Sequence, residues 1–232
     1  MINTIINGDC RDVFSKIKEQ YDVSLVLTDP PYNINFSKYK DNGDGYKDNL
    51  SEEQYVDLIS TFKNCPTAII QYPEEMMRYI VPALGVPDEV LAWCYPSNIA
   101  KKFRLINIYG KKPNFKKVIQ PYKNLKDKRI QERMRNGEKG AALYDWFSDI
   151  NLVKNVSKEK TIHPCPIPIA LMERLILLLT EENDIVVDPF MGSGTTALAC
   201  INTNRRFIGI ELSKEYCDLA NGRISNKEGD II

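Results

Sequence analysis

Val23-Ser24-Leu25-Val26-Leu27-Thr28-Asp29-Pro30-Pro31-Tyr32 opens with a short aliphatic run and stops on two consecutive prolines. A run of that length, rich in Leu and Val and ended so abruptly, reads as a buried strand over Val23–Leu27. The prolines remove two backbone N–H donors and fix two φ angles near −65°. The strand therefore runs into a stiff corner with bare carbonyls, the Asp29 carboxylate at one end and the Tyr32 ring at the other. Such a corner suits a flat group bearing an amine: carboxylate and carbonyl accept from an –NH₂, and the ring stacks on the plane beside it. A rigid turn with a half-buried tyrosine is the plain alternative.

The N-terminal side of this stretch gives a strand at Thr4–Ile6, the turn Asn7-Gly8-Asp9-Cys10, and a helix Arg11–Glu19 with Asp9 as its N-cap. Beyond the corner, Ser37–Asn49 is polar and aperiodic and reads as a mobile loop. Its acids do not make a calcium loop, because Tyr46 stands at the sixth position counted from Asp41, where glycine is required. Ser51-Glu52-Glu53-Gln54 is a capping box that opens an amphipathic helix. A strand Ala68–Gln71, a helix Glu74–Leu84, and strands Glu89–Cys94 and Leu105–Tyr109 come next. Residues 111–155 lose clear periodicity and read as an insertion; Pro166 and Pro168 then lead an apolar helix, Ile169–Leu179. A strand Ile185–Val187, a glycine turn, a helix from about Thr195, a strand Phe207–Ile210 and a helix capped by Ser213 complete the chain. Seven strands alternating with helices predict an α/β fold: a Rossmann-like, mostly parallel seven-stranded sheet with helices on both faces, plus a small basic insertion.

The glycine turn is the second constellation: Asp188-Pro189-Phe190-Met191-Gly192-Ser193-Gly194-Thr195-Thr196-Ala197. Between strand and helix, glycines let backbone approach a ligand, and the helix N–H groups face it. Glu211, nineteen residues past Gly192 and at the end of the next strand, is placed to accept from ribose hydroxyls. Gly-x-Gly-x-x-Ala also matches the dinucleotide fingerprint, so an NAD-dependent dehydrogenase is the alternative of a different class. Against it, the motif lies near the C-terminal end of the sequence with one strand after it, and hydride transfer needs neither Asp-Pro-Pro-Tyr nor a basic insertion. No Lys follows the glycines, which excludes a Walker A loop.

At 232 residues the chain accommodates one sizeable α/β domain, and no apolar run approaches the roughly 20 residues of a membrane span. The start lacks a basic segment followed by an apolar one, so no signal peptide is expected. Six scattered cysteines without a CxxC pair argue against zinc or a disulfide framework and fit a reducing cytoplasm. The formal net charge of zero hides a segregation. Residues 101–135 hold 13 Lys or Arg against Asp127 and Glu132, a local excess of +11, interleaved with Phe103, Tyr109, Phe115 and Tyr122. That composition favours a polyanion-binding surface over a merely solvated face. Lys111, Lys112, Lys116, Lys117, Lys123, Lys126, Lys128 and Arg129 are the candidate phosphate contacts.

Together these residues resemble the amino-methyltransferases of DNA, which move a methyl group from S-adenosylmethionine to an exocyclic base nitrogen. Asp29-Pro30-Pro31-Tyr32 looks like the family's catalytic [DNS]-P-P-[YFW] motif, and Asp188–Gly194 like its cofactor-binding F-x-G-x-G motif. Catalytic motif first and cofactor motif last is similar to the circularly permuted β class. The resemblance implies cofactor contacts from Asp9, Cys10, Asp29, His163, Asp188, Pro189, Phe190, Gly192, Ser193, Gly194, Thr195, Thr196, Glu211 and Leu212. His163-Pro164-Cys165-Pro166-Ile167-Pro168 resembles the His-Pro…Pro element ahead of the cofactor motif, although Cys165-Pro166-Ile167 replaces a commoner polar stretch. It further implies that Ile185–Val187 and Val23–Leu27 are sheet neighbours at the point where strand order reverses, so that both motifs end at one crevice. Residues 1–110 and 156–232 would form the catalytic domain and 111–155 the target-recognition insertion. Double-stranded DNA is the implied partner and no metal is required. In the family an Asp at the first motif position is commonest with N6 of adenine, which makes adenine the lead and N4 of cytosine the runner-up. A prokaryotic or phage-encoded cytoplasmic enzyme is implied; monomer and homodimer both remain open.

Overall fold

Strand β2 (Leu25–Thr28) is buried along its whole length, and its side chains alternate between two cores. Leu25 and Leu27 enter one, Val26 the other, as the two-residue period of a strand requires. In the computed structural model, which describes residues 1–33, 49–96, 101–154, 159, 161 and 166–229, that strand sits at the middle of an eight-stranded sheet. Its neighbours are β3 (Thr67–Gln71) on one side and β9 (Ile185–Asp188) on the other, both parallel to it. Beyond β9 lie β10 (Arg206–Glu211) and β1 (Thr4–Asn7); beyond β3 lie β5 (Phe103–Tyr109), β4 (Glu89–Cys94) and the edge strand β8 (Trp146–Phe147). Only β5 runs against its neighbours.

Each face is covered by helices. Helices α6 (Ile169–Leu179), α7 (Thr195–Asn202) and α8 (Lys214–Gly229) pack over Leu25, Leu27, Ile70 and Phe207. Helices α1 (Cys10–Gln20) and α2 (Glu52–Ser60) pack over Val26, Ile69, Val187 and Ile208, with Phe14 and Phe62 meeting edge to face at 5.1 Å. The expected caps are in place: Asp9 accepts from the Arg11 N–H, Ser51 and Gln54 form the reciprocal box, and Ser213 accepts from the Tyr216 N–H.

Apart from shifts of one or two residues at the ends of other elements, among them β5, which begins at Phe103 instead of Leu105, three details differ from the sequence expectations. The seven expected strands are joined by an eighth, β8, from within 111–155, so that segment is not wholly outside the core. Phe147 and Ile150 are buried with the sheet residues, and the Trp93 indole donates to the Ile150 carbonyl at 2.7 Å. The rest of the segment carries the short ladder of β6 (Ile119–Gln120) with β7 (Ala141–Ala142) and the exposed helix α5 (Lys128–Arg135). The helix expected over Glu74–Leu84 begins at Pro73 as α3 (Pro73–Glu75), passes through a π turn at Met76–Ile80, and ends as α4 (Val81–Leu84). Pro82 has no N–H to give to the preceding turn, and the wider turn lets the Val81 N–H reach the Met76 carbonyl instead. Lastly, β2 begins at Leu25, where its ladder with β9 starts (Leu25↔Val186), and ends at Thr28, the last residue paired with β3 (Thr28↔Ile69). The Ser37–Asn49 loop lies, apart from Asn49, outside the described residues.

Candidate active site

The chain leaves β9 for β10 on one side and β2 for β3 on the other, so strand order diverges between β2 and β9. In parallel sheets that divergence opens a crevice at the carboxyl ends of the strands. Asp29 follows the last residue of β2, Asp188 ends β9, Glu211 ends β10 and Asn7 ends β1, all at the same edge. The antiparallel β5 brings its first residues there too, since Leu105 pairs with Gln71 at the end of β3.

Asp188 is 3% exposed and works as a strut. Its Oδ1 accepts from the Thr28 hydroxyl at 2.6 Å and from the Phe190 N–H at 3.0 Å, and its Oδ2 from the Thr196 hydroxyl. Burial pushes its carboxyl upward, and those three donors oppose the push. One carboxylate thus ties β2, the turn and the first residues of α7 together. Gly192 (φ +53) and Gly194 (φ +83) take left-handed backbone in that turn, and no side chain caps α7. A Cβ at Gly194 would stand 2.8 Å from the Ala220 Cβ, so helix α8 approaches where only hydrogen fits. Arg223 Nη1 donates to the Ser193 carbonyl and hydroxyl, and Phe190 meets Phe62 edge-on at 6.0 Å.

Glu211 receives the Gly192 N–H on Oε2 and the Ser213 N–H on Oε1, each at 2.8 Å. Burial raises its pKa and the backbone donors oppose that. The acid expected to meet a ribose thus also fixes the glycine turn, and a carboxylate with about four acceptor sites keeps some capacity beyond these backbone donors. Asn7 Nδ2 donates to the carbonyls of Glu211 and Leu212, while the Leu212 side chain is 55% exposed. Asp9 is held by Arg11 through both carboxylate oxygens, which lowers its pKa, and the Cys10 thiol is pushed up to about 12 by burial.

At the proline corner, the Tyr32 hydroxyl donates to Asp29 Oδ1 at 2.7 Å, and the Tyr55 hydroxyl donates to the Pro31 carbonyl. Burial raises the Asp29 pKa to about 6; Arg104 and the Tyr32 hydrogen bond hold it down, and Asp188 adds to the rise. Arg104, in the second position of β5, is 4% exposed and places Nη1 4.0 Å from Asp29 Oδ2. Its guanidinium carbon lies 5.1 Å from the Tyr32 and Tyr72 ring centres and 5.3 Å from that of Trp93. Sequence reading counted Arg104 among surface cations. The signal it missed is one charge inside the otherwise apolar alternation that begins β5. Thr28 was missed as well, although a hydroxyl that closes a buried strand needs a partner.

The basic segment is less uniform than its composition. Lys117 donates to the Thr180 carbonyl at 2.8 Å and pairs with Glu181; Lys111 reaches the Ser24 carbonyl at 3.2 Å; Arg129 is engaged by Asp127. Lys112, Lys116, Lys126 and Lys128 are exposed. Lys123 lies 4.8 Å above the Tyr144 ring and 5.4 Å above that of Trp146, two half-exposed rings stacked 6.0 Å apart. His163, Pro164 and Cys165 lie outside the described residues, and Pro168 stands as N-cap of α6. Among the described residues, no group of three or more His, Cys, Asp or Glu is gathered as a metal site would need.

Comparison with known proteins adds to this geometry. The N6/N4 methyltransferase family model, described as DNA methylase, matches residues 23–222. The type II methyltransferase M.BglII of Bacillus subtilis is 31% identical over 249 residues, covering 94% of this chain and 68% of that protein. The crystal structure of M1.HpyAVI in complex with SAM superposes with a TM-score of 0.60 at 27% identity, over 95% of this chain and 98% of that one. The cytosine-N4-specific PvuII DNA methyltransferase gives a TM-score of 0.64 at 19% identity, over 94% and 85% of the two chains, a likeness of fold.

Proposed function

The chain belongs to the N6/N4 DNA methylase family, and from that premise we propose that it transfers a methyl group from S-adenosylmethionine to the N6 amine of an adenine flipped out of duplex DNA. The observation that carries this reading is the Asp29 carboxylate. It is half-buried at the crevice between β2 and β9, with one oxygen oriented by Tyr32, beside a glycine turn braced on Asp188 and Glu211.

The residues present suit the cofactor. Left-handed glycines and the uncapped start of α7 leave backbone open to a ligand, and Glu211 retains acceptor capacity. Gly192 to Thr196, Glu211 and the Asp9-Cys10 turn are the residues that would hold it. S-adenosylmethionine supplies an electrophilic sulfonium methyl when bound. The protein does the rest. Asp29 and the Pro30 carbonyl accept the hydrogens of the target amine, which draws its lone pair out of conjugation with the ring and makes the nitrogen nucleophilic. A carboxylate that titrates near 6 is also well matched to proton transfer close to neutral pH. Flipping costs a few kcal/mol, and a base stacked on the Tyr32 ring recovers roughly 1–3 kcal/mol.

Residues 111–155 serve in this reading as the target-recognition segment, fastened to the sheet by β8 and the Trp93 hydrogen bond and presenting Lys112, Lys116, Lys126 and Lys128 to phosphates. The Lys123–Tyr144–Trp146 stack adds aromatic surface there. Nucleoside mass spectrometry of DNA treated with the protein and S-adenosylmethionine tests the base: N6-methyladenine is expected. N4-methylcytosine would keep the chemistry and replace the target. Equilibrium dialysis separates the class, with S-adenosylmethionine retained and NAD not; the reverse would return the glycine turn to a dehydrogenase.

A further inference from the structure

We propose that Arg104 is a positioning residue that keeps Asp29 ionised and free to accept the hydrogens of the substrate amine. The inference rests on the methyl-transfer reading for its purpose and on geometry for its substance. Arg104 is a cation in the interior, 4% exposed, ringed by Tyr32, Tyr72, Trp93 and Tyr95 at 5.1–5.9 Å. Its Nε is buried without a hydrogen-bond partner. For stability alone this is a poor arrangement, since a buried charge without close pairing costs more than apolar bulk of the same volume. Its distance from Asp29 is the informative quantity. At 4.0 Å, Nη1 is beyond hydrogen-bond reach of Oδ2, yet well within the range of Coulombic support. A bidentate arginine would occupy both carboxylate oxygens. Here the charge is supplied while Oδ2 keeps its lone pairs for a substrate.

Among the described residues, the groups that face Asp29 are few. Tyr32 donates to it from the same corner, Arg104 faces it from β5, and Asp188 faces it from β9 and opposes its ionisation. Lys101 lies over Tyr72 at 4.4 Å and is paired with Glu74 and Glu75, so its charge is spent elsewhere. Among the described residues, Arg104 is therefore the cation that offsets both burial and Asp188.

The test is a carboxyl-carbon NMR titration of Asp29 in the full-length wild-type, Arg104→Met and Arg104→Lys proteins, with the pH profile of methyl transfer beside it. Methionine fills the aromatic box without charge. The Asp29 midpoint should rise by about one pH unit or more, as loss of an opposite charge at this range implies, and the acid limb of kcat should move with it while S-adenosylmethionine affinity stays unchanged. Lysine should leave the midpoint near that of the wild type. An unmoved midpoint in the methionine variant would overturn the proposal. Should that variant fail to fold, as judged by circular dichroism, Arg104→Gln, which also removes the charge, decides: a raised midpoint supports the charge role, and an unmoved one contradicts it. A wild-type protein that methylates no DNA would remove the methyl-transfer reading, yet the NMR midpoints would still report whether Arg104 governs Asp29.

Discussion

In the proposed methyl transfer Asp29 concentrates the chemistry, and its surroundings set a pH dependence. Burial raises its pKa to about 6, so it ionises later than an exposed aspartate. The acceptor form is the carboxylate. Turnover at saturating S-adenosylmethionine should therefore be full above that value and fall as pH drops through about 6; a limb near the ordinary carboxylate range would deny Asp29 its environment. Thr28→Val removes the hydroxyl that Asp188 Oδ1 accepts, at nearly constant volume. Leaving a buried carboxylate short of one donor should cost about 1–3 kcal/mol in urea denaturation. Asp29, Tyr32, Asp188 and Glu211 were legible in the sequence because each sits in a motif that ends a strand. Arg104 and Thr28 were not, since a residue letter does not say whether its side chain points to solvent or into an aromatic box.

Among the elements, the glycine turn is sensitive to a single atom. Gly194 combines a φ of +83 with an Ala220 Cβ 2.8 Å from where its own would be. Gly194→Ala should lose about 1–2 kcal/mol from left-handed backbone alone, with more from displacing α8, and should weaken S-adenosylmethionine binding in calorimetry. Wild-type stability and affinity in that variant would mean the turn tolerates a side chain. Capping chemistry made the helix starts at Asp9, Ser51 and Ser213 readable, because a side-chain acceptor before an apolar period is local information. The π turn at Met76–Ile80 and the two-residue β8 were not readable. The first depends on how Pro82 is accommodated, and the second on a partner strand, β4, that lies some fifty residues earlier in the chain.

Across the molecule, the charge segregation predicts how DNA is held. The excess of +11 over residues 101–135 is an upper bound, because Arg104 is interior and Lys117 is paired with Glu181. DNA affinity should fall linearly in log–log form with salt, by about 0.9 per phosphate contacted. Replacing Lys112 and Lys116 together with alanine should reduce that slope and weaken all duplexes about equally, since phosphate contacts position without specifying. An unchanged slope would take that pair out of the footprint. The α/β architecture and the meeting of two distant motifs were legible because strand-end motifs in a parallel sheet share one edge. How the 111–155 segment fastens to that sheet was not, because Phe147 and Ile150 are too few to make a period. Methyl transfer through Asp29 is the central proposal for this protein. Its most direct measurement is label transfer from methyl-tritiated S-adenosylmethionine to duplex DNA by the wild-type and Asp29→Ala proteins, with cofactor affinity measured on both. The prediction is label on DNA with the wild type, none above background with the variant, and similar affinities; an Asp29→Ala protein that methylates DNA at the wild-type rate would contradict it.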